Sequence, residues 1–209
     1  MNNRKKRQVV YLHGLGSSGQ STTAQRLRRT LPHHEVISPD IPVPPEVAMS
    51  ELKNLAKQLG SDAIIVGTSL GAFYAQMFRG FHRILINPSF HVSRHLHEKE
   101  GKRLPFHNPR LDGAKDFEVN KKLVKKFEKL EEKQFEPRTG IIGTNADARD
   151  QVQAFFGTQD ELVNCKDEYL EHYDKFIDFE GGHRLDPNTT ITLIVPKIME
   201  LSGENEGKQ

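Results

Sequence analysis

The sequence predicts an α/β fold, a compact three-layer sandwich with a mainly parallel sheet of about six strands flanked by helices. Three observations carry this. Short apolar runs alternate with segments of helical period along most of the 209 residues. The runs are continuously apolar rather than alternating, as in parallel strands covered on both faces. Between the third run and the helix after it stands a serine with glycine at both second neighbours, in Gly67-Thr68-Ser69-Leu70-Gly71.

Taken in order, Val9-Val10-Tyr11-Leu12 is the first strand, ending at His13-Gly14, and a loop runs from Gly14 to Ser21. Thr22 to Leu31 reads as a helix with Ala24, Leu27 and Leu31 on one face, stopped by Pro32. Val36-Ile37 make a short second strand, and Pro39, Pro42, Pro44 and Pro45 mark the loop beyond it. The next helix spans Pro45 to Leu59, with Leu52, Leu55, Ala56 and Leu59 inward. Ala63 to Val66 is the third strand, Leu70 to Phe78 a helix, and Arg83 to Ile86 the fourth strand, ending at Asn87-Pro88.

Residues 90–113 break this rhythm with many His, Arg, Lys and Gly, and read as a long loop or partial lid. Asp116 to Glu132 is expected to be an amphipathic helix on the stripe Val119, Leu123, Phe127 and Leu130, with its lysines facing solvent. Residues 137–150 hold a three-residue apolar piece among turn formers. Val152 to Phe156 is a better strand. Glu161 to Tyr173 follows as a helix, Phe176 to Phe179 as the last strand, and Pro187 to Leu201 as the last helix, capped by Asp186 or Asn188. The whole, 1–209, reads as one domain, with 90–135 a variable loop and helix and 203–209 a flexible tail.

Composition narrows the function classes. Charged residues make up 28% but the net charge is only +2, so neither a nucleic-acid footprint nor a membrane surface is indicated. The basic tetrad Arg4 to Arg7 reads as a solvated lead-in. A single cysteine, Cys165, excludes an intrachain disulfide framework. No apolar stretch has signal-peptide or membrane-spanning length. The expected location is cytoplasmic, with no nucleic-acid or membrane partner; monomer and homodimer both stay open.

The motif at Ser69 is that of a nucleophile elbow. The turn is tight, side chains at Gly67 and Gly71 would crowd the neighbouring strand and helix, and the hydroxyl stands at the C-terminal edge of the sheet. The glycine loop after the first strand admits rival readings. Gly14-x-Gly16-x-x-Gly19 matches a dinucleotide fingerprint, with Asp40 as its acid, and Gly14 to Ser21 is one residue from a P-loop. Gln20 stands where a P-loop needs lysine, and a neutral amide cannot meet a triphosphate's charge. His13-Gly14 favours a third reading, an oxyanion loop whose backbone N–H groups face the serine.

A serine needs a histidine base, and the histidine an acid. Of ten histidines, His183 fits best, because the last strand runs into Glu180-Gly181-Gly182-His183. His91, His95, His97 and His107 lack metal-ligand spacing. Two acids compete: Asp160 after the strand at 152–156, and Asp147 after the weaker apolar piece. Asp160 is preferred because one helix and one strand separate it from His183, which puts acid and base on adjacent strands. Asp150, Glu161 and Asp186 trail them.

Together His13-Gly14, the Ser69 pentapeptide, Asn87-Pro88, Gly157-x-x-Asp160-x-x-Val163 and Gly181-Gly182-His183 resemble the alpha/beta-hydrolase superfamily. The short length is similar to the small bacterial esterase-like proteins of the YqiA/YcfP-like (UPF0227-type) family, over about residues 8 to 200. GTSLGAFYA and INPSF are the most specific pieces, and Asn108-Pro109 is similar to an Asn-Pro of that family. The resemblance implies an alpha/beta-hydrolase-type fold with Ser69 as nucleophile, Asp160 as acid and His183 as base. It also implies an oxyanion hole from the N–H groups of Leu15 and Leu70, with His13, Gly14, Gly67 and Gly71 in support. The expected activity is that of a serine hydrolase on small carboxyl esters or thioesters, with no metal or organic cofactor. A sheet with little inserted above it predicts a shallow site and short acyl groups. The alternatives are a non-catalytic binding protein that keeps the fold, or a nucleotide-binding enzyme using the loop at 14–21.

Overall fold

The computed structural model describes residues 6–136, 139–141 and 151–204. In chain order the elements are β1 (Arg7–Leu12), α1 (Thr22–Thr30), β2 (His34–Ile37), α2 (Pro45–Ala56), β3 (Ile64–Thr68), α3 (Leu70–Ala75) and β4 (His82–Ile86). They continue with α4 (Val92–His97), β5 (Arg103–Pro105), β6 (Asp116–Glu118), α5 (Lys121–Glu131), β7 (Val152–Gly157), α6 (Lys166–His172) and β8 (Lys175–Phe179). The last stretch is α7 (Pro187–Thr189), a π-helical turn (Thr190–Ile194) and α8 (Val195–Leu201).

The six main strands pair in parallel in the order β2-β1-β3-β4-β7-β8. Val9 and Val10 point to opposite faces and neither is exposed, so the sheet is covered on both sides. One core lies between the sheet and α2, α3, α5 and α6, and holds Val10, Ile65, Phe73 and Phe127. The other lies under α1 and α8 and holds Val9, Val66, Leu27 and Ile198. Each such fully buried side chain contributes roughly 1.5–3 kcal/mol.

The main departures from the sequence-based expectation lie above the sheet. Residues 90–113 are not simply loop. Val92 and Leu96, four apart, bury one face of α4, and Leu104 pairs with Phe117 across the antiparallel hairpin β5–β6. That hairpin takes residues 116–118, so the amphipathic helix starts later than expected, where the Asn120 side chain accepts from Leu123 N–H as an N-cap. Likewise α6 begins at Lys166 rather than Glu161, because the Asp160 carboxylate first captures the N–H groups of Leu162 and Val163. The final helix is broken by its π turn, and Asp186, not Asn188, caps it.

Candidate active site

β3 delivers Ser69 to the C-terminal edge of the sheet between two neighbours. Its N–H donates to Ile86 O of β4 at 3.0 Å, and its carbonyl accepts from Phe73 N–H one helical turn on. The residue is held at φ 56, ψ −118, a strained conformation for a side chain that lifts Oγ out of the turn. Glycine is required on both sides by close approach. A Cβ on Gly67 would lie 2.3 Å from Gly71 O, and one on Gly71 would lie 1.9 Å from Leu12 O.

β7 and β8 are neighbours, and the loops after them bring Asp160 and His183 to Ser69. His183 Nδ1 stands 2.8 Å from Asp160 Oδ2, and its Nε2 stands 2.9 Å from Ser69 Oγ. A carboxylate only accepts, so Nδ1 carries the proton and the Nε2 lone pair faces the hydroxyl. The Asp160 side chain is nearly buried, at 4% exposure, against 16% for His183. Its Oδ1 is anchored separately by Leu162 N–H at 2.9 Å and Val163 N–H at 3.0 Å. One oxygen holds the loop and the other holds the imidazole. Such an arrangement can move a proton from Ser69 to His183 while the aspartate steadies the resulting cation. The alternative acid Asp147, like Asp150, lies outside the described residues.

The loop after β1 lies against the serine: a Cβ on Gly14 would sit 3.5 Å from Ser69 Cβ. Ser17 N–H donates to Gly14 O, closing a turn over Leu15. Leu15 and Leu70 line the same cleft as Ser69 and His183. Among the described residues neither Leu15 N–H nor Leu70 N–H has a partner in the turn and loop network, as donors for an oxyanion would require. His13 is buried beneath this loop. Its Nδ1–H donates to Gly14 O at 2.9 Å and its Nε2 accepts from Ile41 N–H at 3.0 Å. Both bonds need the neutral ring, and burial pushes its pKa down to about 4.

The features that gave this loop its nucleotide readings have other uses. A Cβ on Gly19 would lie 2.1 Å from Ser38 O, so this glycine serves packing against the exit of β2. The Asp40 carboxylate is divided between Gly19 N–H and Leu111 N–H, both at 2.7 Å. From the other side the segment after β5 closes on the loop. His107 N–H donates to Gly16 O at 2.7 Å, and Asn108 Nδ2 donates to Ser17 Oγ at 3.1 Å. Arg110, its side chain 4% exposed, donates to Ile41 O at 3.3 Å.

These strap contacts were missed by sequence reasoning, as was the role of Asn87. Asn87 has φ 43 and is buried. Its Oδ1 accepts from Gly157 N–H at 2.7 Å, and its Nδ2 donates to Gly182 O at 3.0 Å and His183 O at 3.1 Å. The available signal was an asparagine at a strand end before proline, since Asn tolerates the left-handed region.

More stands above the sheet edge than the sequence suggests. The cleft over Ser69 holds about 1030 Å³, at the upper end of the roughly 300–1,000 Å³ usual for ligand pockets, because α4 and the hairpin rise above the sheet edge. His91, His95 and His107 line it, and His91 is paired with Glu168 at 2.7 Å. Among the described residues no group of three or more His, Cys, Asp or Glu is placed to hold a metal ion. No helix among them is long and apolar enough to cross a membrane.

Comparison with known proteins agrees with this architecture. A model described as "Uncharacterised protein family (UPF0227)" matches residues 8–192. Among solved structures, mouse alpha/beta hydrolase domain-containing protein 10 superposes with a TM-score of 0.64 at 15% identity, covering 96% of this chain and 91% of that one. Est1E from Butyrivibrio proteoclasticus gives 0.60 at 16%, covering 99% and 92%. S-formylglutathione hydrolase (FrmB) from Staphylococcus aureus gives 0.56 at 15%, covering 93% and 83%. At these identities the likeness is one of fold, and the fold is that of the alpha/beta-hydrolase superfamily.

Proposed function

The chain belongs to the UPF0227 family, and we propose that this member of it is a serine hydrolase that cleaves small carboxyl esters or thioesters through an acyl-enzyme. The observation that carries the reading is the position of His183, within hydrogen-bonding distance of both Ser69 Oγ and Asp160 Oδ2. Ser69 Oγ attacks the carbonyl carbon as its proton passes to His183 Nε2. The imidazolium is steadied by Asp160, and the oxyanion accepts from Leu15 and Leu70 N–H. The carbonyl reforms as the bond to the leaving oxygen or sulfur breaks, and His183 returns the proton to that atom. Water then attacks the acyl-enzyme, gives its proton to His183, and Ser69 is regenerated as the acid departs.

The hydrolases and esterases among the structural neighbours support the reaction class. The solved structure of Est1E with ferulic acid is an instance of a carboxylic acid held by a protein of this fold. The test is labelling with a small active-site phosphonate, read by mass spectrometry. Wild-type protein is expected to gain one adduct on Ser69, and Ser69→Ala none. Unlabelled wild type, or equal labelling of the two, overturns the proposal.

A further inference from the structure

The main sheet ends at β8, and that edge is open. The Phe179 carbonyl accepts from Thr158 N–H, just beyond β7, at 2.9 Å. Phe179, Ile177 and Lys175 therefore turn their backbone groups toward β7, and Phe176 and Asp178 turn theirs outward. Among the described residues those outward N–H and C=O groups have no partner in the turn and loop network, and β8 pairs with β7 alone. The far edge is different. There β2 has four residues and runs on to Pro39 and Pro42, short and followed by proline as edges that resist pairing are. β8 has five residues, no proline, and two apolar side chains partly in water, Phe176 at 37% exposure and Ile177 at 38%.

These two side chains border opposite faces of the edge. Phe176 and Asp178 lie against α6, where Lys166 Nζ stands 4.1 Å over the Phe176 ring and 2.6 Å from Asp178 Oδ2. Leu170, one turn on from Lys166 on the same side of α6, is 39% exposed. Ile177 points to the other face, as does Phe179 of the core under α1 and α8. Apolar surface thus flanks the unpaired backbone above and below.

Such an edge is a template for its own copy, laid antiparallel about a twofold axis, and the charges choose the register. Centred on Lys175 or on Asp178, the strand sets that charge against itself. Centred on Phe176, it sets Asp174 against Asp178. Centred on Ile177, Phe176 lies opposite Asp178 and Lys175 opposite Phe179 of the second copy, and no like charges face within the strand. Asp174 and Glu180 meet only beyond its ends, where the copies twist apart. In that register Phe176 and Asp178, whose backbone groups point outward, become the hydrogen-bonded pairs. Ile177 meets Ile177 as the close non-hydrogen-bonded pair between them. We propose that the chain forms a homodimer by antiparallel β8–β8 pairing about Ile177, which joins two sheets into one.

The test is sedimentation equilibrium together with cysteine cross-linking of the full chain. Wild type is expected to dimerise reversibly. Ile177→Cys should oxidise to an intermolecular disulfide, because a non-hydrogen-bonded pair stands about 4.5 Å apart at Cα, within disulfide reach. Lys175→Cys, whose copies lie about 13 Å apart along the strands, should cross-link far less, and wild type, with Cys165 buried, not at all. Ile177→Lys and Ile177→Glu should each weaken the dimer about tenfold or more. An equimolar mixture of the two should restore it, which misfolded variants would not do. A wild type that stays monomeric, whatever other strand its edge accepts, overturns the proposal. So does a dimer that both substitutions leave intact, or cross-linking of Lys175→Cys equal to that of Ile177→Cys.

Discussion

Asn87 grips the backbone of His183: its Nδ2 donates to the His183 carbonyl at 3.1 Å and to the Gly182 carbonyl at 3.0 Å. The same carboxamide accepts from Gly157 N–H at 2.7 Å, three residues before Asp160. One buried side chain thus sets the separation of the loops that carry His183 and Asp160. Its orientation follows from the partners, two carbonyls on one arm and an N–H on the other.

Asn87→Asp should be the most harmful change there. A carboxylate cannot donate to either carbonyl and would be buried facing both. Expected is a loss of kcat of about a hundredfold or more with KM changed far less, and a destabilisation of about 1–3 kcal/mol. Steady-state kinetics together with urea unfolding check it; unchanged kcat would remove Asn87 from the positioning set.

Asp160→Asn separates chemistry from scaffolding. The amide oxygen can keep the bonds from Leu162 and Val163 N–H, so the stability loss should be confined to the lost bond to His183, about 1–3 kcal/mol. The new NH₂ would face His183 Nδ1 and favour the wrong tautomer. A fall in kcat of about 10³–10⁴ is expected, far beyond what the modest shift of the urea unfolding curve would account for.

His13 should make folding sensitive to mild acid. Its folded pKa, depressed by burial to about 4 from the ordinary 6.5 of a histidine, means that between these values the unfolded chain binds a proton that the folded one refuses. This group's stabilisation is full above pH 6.5 and is lost as pH falls toward 4, by on the order of 3 kcal/mol in all. Carboxylates titrate in the same range, so the measurement is a difference. Urea unfolding at pH 7 and pH 4.5 should show a smaller loss for His13→Gln than for wild type.

Asp40 and Arg110 brace the loop that carries Leu15. Asp40→Ala leaves the N–H groups of Gly19 and Leu111 without their acceptor, at a cost of about 1–3 kcal/mol. A decrease in kcat of about tenfold is expected as the proposed oxyanion donor at Leu15 loses its support, with phosphonate labelling slowed in parallel. Arg110→Lys should not compensate for loss of the guanidinium, which also stacks on Phe106 at 4.4 Å. Normal labelling rates in both variants would show that the strap is only structural.

The middle of the sheet was legible because β1 and β3 are buried on both faces and appear as apolar runs, as in Ile64-Ile65-Val66; the edge strands β2 and β8 carry polar residues, and β8 is mostly exposed. The turns that carry Ser69, Asp160 and His183 were legible for a local reason. A glycine pair crowded by backbone atoms, and loops bound to strand ends, leave a signature within a few residues. The choice of Asp160 over Asp147 rested on strand adjacency, and β7 and β8 do pair; Asp147 itself is outside the described residues.

What only the tertiary structure decided lies between distant segments. Polar side chains at Asn87, Asp40, Asn108 and Arg110 find hydrogen-bond partners 21 to 96 positions away, and no periodicity encodes a hydrogen bond across such a gap. The same holds for residues 90–118. Val92 and Leu96 make too short an apolar pattern to announce a helix, and Leu104 and Phe117 become inward-facing only when the hairpin closes on the loop at 14–17. The sequence determined the strand-end positions of Ser69, Asp160 and His183, because those depend on local backbone geometry. The packing of α4 and the inserted hairpin above that edge decided which residues wall the cleft over Ser69.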